Sequence, residues 1–167
     1  MPTEAVFLDS NGWVALLNQR DPLNARAARV FLELGHTKRP VVLTDWIMAE
    51  TGNGLARTPA RTRFAAAAAE LLHSPPARVV SLSPVLIQRA LRLYAERADK
   101  TWGLVDCASF IVMSEQGITD AFTTDRHFEQ AGFTCLLPAR AGCVPSHARF
   151  GFLSVFGIRI SGFWLGC

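Results

Sequence analysis

The chain has 167 residues and a mass of 18.3 kDa, with 50% hydrophobic and 19% charged residues and a net charge of +3. That composition specifies a single unit with a full core and excludes a disordered chain, a collagen-like repeat and a coiled coil. Arg140, Arg149 and Arg159 fall in a C-terminal stretch without an acid; setting them aside leaves 14 basic against 14 acidic residues over 1–138, too even a balance to hold nucleic acid by bulk charge alone.

Ala5-Val6-Phe7-Leu8 is a short apolar run halted by Asp9-Ser10-Asn11-Gly12, the pattern of a buried strand ending in a polar turn. Apolar residues then recur at helical spacing over 13–19 and 24–34, with Asp21-Pro22 separating the two helices and Gly35 closing the second. A second strand is expected over 41–43, after which Thr44 or Asp45 caps a helix running through Trp46, Ile47 and Glu50 towards Arg57. Thr58-Pro59 opens a helix with an alanine run over 65–69, ended by Ser74-Pro75-Pro76. A third strand over 78–82 leads into a helix over 84–97. The segment 104–116 is apolar on nearly every side except at Asp106, which marks a buried helix, and Gly117 ends it. A fourth strand over 121–124 ends at Asp125, a short helix runs through Phe128 to Ala131, and a fifth strand covers 134–137. Strands alternating with helices predict an α/β domain with a mostly parallel sheet.

Cys107, Cys135, Cys143 and Cys167 form no CxxC pair, which favours reduced thiols and a cytoplasmic setting. The opening residues have no basic stretch ahead of the apolar run, so no signal peptide is expected. From about Ala139 the pattern changes to aromatic residues and glycines, giving an apolar, basic tail over 139–167. Arg159 near its middle and its glycines weigh against a membrane span; packing on the domain or on a partner is the expected role.

In an open parallel sheet the ligand crevice lies at the carboxyl ends of the strands. Asp9 and Asp125 end the first and fourth strands, which commonly flank the point where strand order reverses; Glu50 and Asp106 can point into the same crevice from their helices. Each acid also has a structural explanation: an Asx turn at Asp9, helix caps at Asp106 and Asp125, a solvated helix position at Glu50. Taken together, four converging carboxylates need a countercharge, and no lysine or histidine recurs beside each of them. A hard divalent cation, Mg²⁺ or Mn²⁺, supplies one. An acid-only metal site without a Cys/His ligand cluster fits phosphodiester hydrolysis.

Four segments carry a resemblance: Phe7-Leu8-Asp9-Ser10-Asn11; Ala49-Glu50 with Asn53; Trp102-Gly103-Leu104-Val105-Asp106-Cys107-Ala108-Ser109-Phe110; and Thr123-Thr124-Asp125-Arg126-His127-Phe128 through Phe133. In order and spacing they resemble PIN-domain ribonucleases, above all VapC-type toxins and their bacterial relatives. The resemblance spans about Val6 to Leu137 and implies a PIN-like three-layer fold over 1–138, with about five strands flanked by helices. It places metal-binding, catalytic acids on Asp9, Glu50, Asp106 and Asp125, and polar helpers on Ser10 and Thr124. It implies Mg²⁺- or Mn²⁺-dependent endonucleolytic cleavage of RNA, often by a homodimer silenced by a small antitoxin, as the toxin of a type II pair. Asn11-Gly12 stands where many relatives have a hydroxyl residue and then a bulky apolar one, which predicts a looser turn.

Asp99 is a further acid near this cluster, although a loop residue after a helix is its simpler reading. His127 is expected to be solvated on its short helix. Arg57, Arg61 and Arg63 could bind RNA phosphates, and solvated helix faces explain them equally well. Two alternatives compete with the nuclease. A non-catalytic RNA-binding or regulatory PIN module has no need of four mutually repelling acids, and an aspartyl-phosphate phosphatase wants a second acid where Asn11 stands.

Overall fold

The computed structural model describes residues 3–73 and 77–137. The expected tail over 139–167 lies outside the described residues, as does the predicted breaker at Ser74-Pro75-Pro76. In chain order the elements are β1 (Thr3–Leu8), α1 (Ser10–Leu17), α2 (Asn24–His36), β2 (Val41–Thr44), α3 (Asp45–Leu55), α4 (Arg61–His73), β3 (Ala77–Val80), α5 (Pro84–Glu96), α6 (Leu104–Gln116), β4 (Ile118–Phe122), α7 (Arg126–Gln130) and β5 (Thr134–Cys135). The strands pair in parallel throughout, in the order β3-β2-β1-β4-β5. The order reverses between β1 and β4, as expected from the sequence.

Connections from β1 to β3 run one way across the sheet and those from β3 to β5 run back. Right-handed crossovers therefore deliver α1 to α4 and α5 to α7 to opposite faces. The packing follows that division: α1 touches α2 and α3, and α3 touches α4, while α6 touches α5 and α7. β2 is buried at every position, as a central parallel strand must be, whereas β3 at the edge is buried at none.

Local chemistry sets the boundaries. Thr44, not Asp45, caps α3, its hydroxyl accepting the Ile47 N–H at 3.1 Å. Asp45 instead accepts the Leu82 N–H and ties the chain after β3 to α3. Ser83 caps α5, with Pro84 in its first turn. Gly117, at φ 64°, closes α6. Gly35 does not close α2, which continues to His36; the left-handed residue there is Lys38, at φ 53°. β4 begins at Ile118, ahead of the expected start, because the charge of Asp120 within it is met by Arg39 at 2.7 Å.

An aromatic cluster anchors the elements that carry the candidate site. The Phe110 ring on α6 lies 5.0 Å from the rings of both Trp102 and Phe128, and Phe128 lies 6.2 Å from Phe7 on β1. Phe128 is fully buried and pins the short α7 to the core. On the opposite face Trp13 packs against Phe64 at 5.1 Å, joining α1 to α4.

Candidate functional site

At the carboxyl edge of the sheet the chain leaves β1 and β4 side by side, and each exit carries an aspartate. Asp9 caps α1: its Oδ2 accepts the Asn11 N–H at 3.3 Å and the Thr123 hydroxyl at 2.6 Å. It is 2% exposed, and burial pushes its carboxyl up to about pKa 6 against the opposing pull of the Thr123, Ser10 and Asn11 hydrogen bonds. Asp125 stands beyond the end of β4 and caps α7. Its Oδ1 accepts the His127 N–H at 2.9 Å and its Oδ2 the Asn11 side-chain amide at 3.4 Å. Thr123 joins the two acids, donating its hydroxyl to Asp9 and accepting the Asp125 N–H at 2.9 Å.

Asp106 reaches the same place from the first turn of α6, where its Oδ2 accepts the Gly103 N–H at 2.7 Å. Desolvation raises its pKa; the Gly103 hydrogen bond opposes this and the Asp125 charge adds to it. The structural explanations for Asp9, Asp106 and Asp125 thus hold alongside their convergence: capping fixes each carboxylate where its neighbours crowd it. Glu50, on α3, is exposed along the wall of a crevice of about 490 Å³ whose lining includes Ser10, Asn11, Asp106, Asp125 and His127.

The close approach depends on Gly12. A Cβ there would lie 2.0 Å from the Phe122 carbonyl oxygen at the end of β4. Asn11 and Gly12 therefore form no loose turn but belong to the first turn of α1: the missing side chain lets α1 press onto β4 and brings Asn11 within reach of Asp125.

One other expectation, the solvated His127, needs correction. The hydroxyl that holds Asp9 belongs to Thr123, and the neighbouring Thr124 is half-buried. His127 is not simply solvated: its Nδ1 lies 3.2 Å from Asp106 and 3.3 Å from Asp125, and its Nε2 lies 3.0 Å from the Thr101 hydroxyl. Asp99 is exposed, held by Arg97 at 2.9 Å and Lys100 at 3.6 Å, and does not line the crevice. Arg57 and Arg61 are exposed and Arg63 half-buried, none of them on the crevice wall.

Among the described residues no lysine or arginine pairs with Asp9, Asp106 or Asp125. Asp106, Asp125 and His127 offer ligand atoms within 4.8 Å of one another. Hard carboxylate oxygens that lack a protein countercharge, with one imidazole among them, fit a divalent cation.

The PIN domain profile matches residues 6–134. The chain belongs to the PIN-domain family. This PIN domain is 32% identical over 134 residues to the 23S rRNA-specific endonuclease VapC20 of Mycobacterium tuberculosis, covering 80% of this chain and 98% of that one. The crystal structure of VapC20, a sarcin-ricin loop cleaving toxin, aligns with a TM-score of 0.68 at 30% identity, over 78% of this chain and 97% of that one. A chain in the crystal structure of FitAcB from Neisseria gonorrhoeae shares the fold, with a TM-score of 0.55 at 20% identity over 78% of this chain and 95% of that one. Among the described residues, no helix of this PIN domain is long and apolar enough to cross a membrane.

Sequence reasoning missed Thr123 and His127, and only Thr123 left a signal. A hydroxyl residue two positions before Asp125 is placed to accept that residue's N–H, the local bond that Thr123 makes. For His127 the decisive neighbours, Thr101 and Asp106, come from a separate segment.

Proposed function

We propose that this PIN domain is a divalent-metal-dependent endoribonuclease that hydrolyses RNA phosphodiester bonds, the toxin of a type II toxin-antitoxin pair. The observation that carries the reading is the meeting of Asp106 and Asp125 at the strand-order reversal, with Asp9 buried behind them and joined to Asp125 through Thr123, without a lysine or arginine partner among the described residues, beside the crevice that Glu50 lines. Asp9, Glu50, Asp106 and Asp125 hold Mg²⁺ or Mn²⁺, and Ser10 lies on the same wall. When bound, the cation orients the scissile phosphate, lowers the pKa of the attacking water and stabilises the leaving oxygen.

The protein's own groups set up that chemistry. Thr123 and the Asn11 backbone fix the Asp9 carboxylate, and the Asn11 amide and the α7 cap fix Asp125. Glu50 lines the crevice from α3 and is exposed, so its carboxylate is accessible to an RNA bound there. The similarity to VapC20, an rRNA-specific endonuclease and toxin, supports RNA as substrate and the toxin role; a small antitoxin partner, a homodimer and a cytoplasmic setting belong to the same proposal. Residues 1–138 are the unit that carries the activity. Arg57, Arg61 and Arg63 lie beyond the crevice wall and supply at most a distant contact to the RNA backbone.

The test is cleavage of RNA by the purified full chain in Mg²⁺ or Mn²⁺, with EDTA as control. Asp106→Asn should lower the rate at least about 100-fold while leaving the fold intact. Undiminished cleavage in Asp106→Asn or in EDTA would overturn the reading. RNA binding without metal-dependent cleavage would point instead to the regulatory module.

A further inference from the structure

We propose that His127 is itself a ligand of the metal centre, oriented by Thr101, and that this nitrogen donor makes the centre select Mn²⁺ over Mg²⁺. The inference rests on the metal-dependent reading above and adds a donor to the four acids.

The geometry of the ring carries it. Nδ1 sits between two carboxylates, 3.2 Å from Asp106 and 3.3 Å from Asp125, and Nε2 meets the Thr101 hydroxyl at 3.0 Å. A neutral imidazole has one N–H and one lone pair, so two arrangements are available. In the first, Nδ1–H donates to the carboxylates and Nε2 accepts the threonine proton. In the second, Nε2–H donates to Thr101 and the Nδ1 lone pair faces Asp106 and Asp125. Without a cation the second arrangement is repulsive, since three electron-rich groups face one another. With a cation among the three ligand atoms it is the favoured one, and it has the usual form of a metal-binding histidine, which donates its other N–H to an oxygen. Thr101 can accept that proton or give one, so it serves both states and lets the site change tautomer as metal arrives.

The ring is also held in place beforehand. Asp125 accepts the backbone N–H of His127 at 2.9 Å, which fixes the spacing of the two side chains, and the adjacent Phe128 is buried against Phe7 and Phe110. The consequence is selectivity. Mg²⁺ is the harder ion and favours oxygen ligands and retained water, whereas Mn²⁺ accepts an imidazole nitrogen at lower cost. An acid-only centre would distinguish the two ions less.

The experiment loads the full chain with Mn²⁺ and records its pulsed electron paramagnetic resonance spectrum, alongside calorimetric titration of Mn²⁺ and of Mg²⁺. Coupling to an imidazole nitrogen is expected in the wild type and absent in His127→Gln. In that variant Mn²⁺ affinity should fall at least about ten-fold and Mg²⁺ affinity less than about three-fold. Thr101→Val keeps the ring and removes its oxygen partner, so it should weaken Mn²⁺ selectively while the nitrogen coupling remains. Mn²⁺ bound without nitrogen coupling, coupling that persists in His127→Gln, or equal losses for both ions would overturn the assignment of His127 alone. A wild-type chain that binds neither ion would overturn the metal-dependent reading itself. If His127→Gln fails to fold, a wild-type spectrum without nitrogen coupling still overturns the assignment, and the selective loss in Thr101→Val still tests it.

Discussion

Asp120 and Asp125 stand on either side of the end of β4, and the chain treats them in opposite ways. Asp120 is met by the Arg39 guanidinium at 2.7 Å, and the same arginine donates to the Glu4 carbonyl at 2.6 Å, joining the approach to β2 with β1 and β4. Asp125, beyond the strand, meets Asn11, the His127 backbone and the His127 ring, with Asp106 as a charged neighbour and Asp9 joined to it through Thr123. Inside the sheet an acid is neutralised and contributes to the fold. At its carboxyl edge acids are held in place by neutral donors, which orient them without removing their charge. Positions that keep their charge at a cost in stability are the ones to assign to binding.

The contrast can be broken most severely at Gly12, which allows α1 to bring Asp9 and Asn11 up to the end of β4. Gly12→Val would drive a side chain into the Phe122 carbonyl and should cost more than about 3 kcal/mol in urea unfolding, or prevent folding altogether. A loss below about 1 kcal/mol would mean that α1 can retreat without consequence.

A smaller effect sharpens the contrast by its sign. The fold raises the pKa of Asp9 from 3.8 to about 6, so the native state favours the protonated acid. That stabilisation is complete below about pH 3.8 and is lost as pH rises through about 6. By pH 7.5 in EDTA the ionised group costs about 3 kcal/mol relative to its protonated form. Asp9→Asn should therefore unfold at a higher temperature than the wild type at pH 7.5 without metal, and lose that advantage towards pH 4. Parallel pH profiles for the two proteins would refute the assignment. The smallest effect has the opposite sign: Asp120→Asn weakens the Arg39 pair and should lower stability by about 1 kcal/mol in the same assay, with RNA cleavage unchanged.

The same contrast explains what could be read in the sequence. Asp9 and Asp106 stood out because each interrupts or ends an apolar run, and Leu104–Gln116 matches its predicted helix residue for residue. The five strands were legible as apolar runs between helical segments. β4 was placed late: the charged Asp120 interrupts the apolar pattern over 118–122, and Arg39, from a distant segment, meets that charge only in the fold. Thr123 was not singled out as the partner of Asp9 because adjacent threonines are indistinguishable by type, and only the three-dimensional position of Asp9 selects between them. Glu50 was legible by type and spacing, yet its exposure depends on how α3 packs on α1. His127 was hidden for a similar reason, since its neighbours Thr101 and Asp106 are brought to it by the fold.

Among the described residues the carboxylates at the sheet edge have no lysine or arginine partner, and the central claim is that a divalent cation balances them. Thermal unfolding of the full chain at pH 7.5, first in EDTA and then in Mn²⁺, tests it most directly. The wild type should gain in Tm with Mn²⁺, because a ligand that binds only the native state stabilises it, and Asp106→Asn should lose most of that gain. An unchanged wild-type Tm, or an equal gain in Asp106→Asn, would contradict the account.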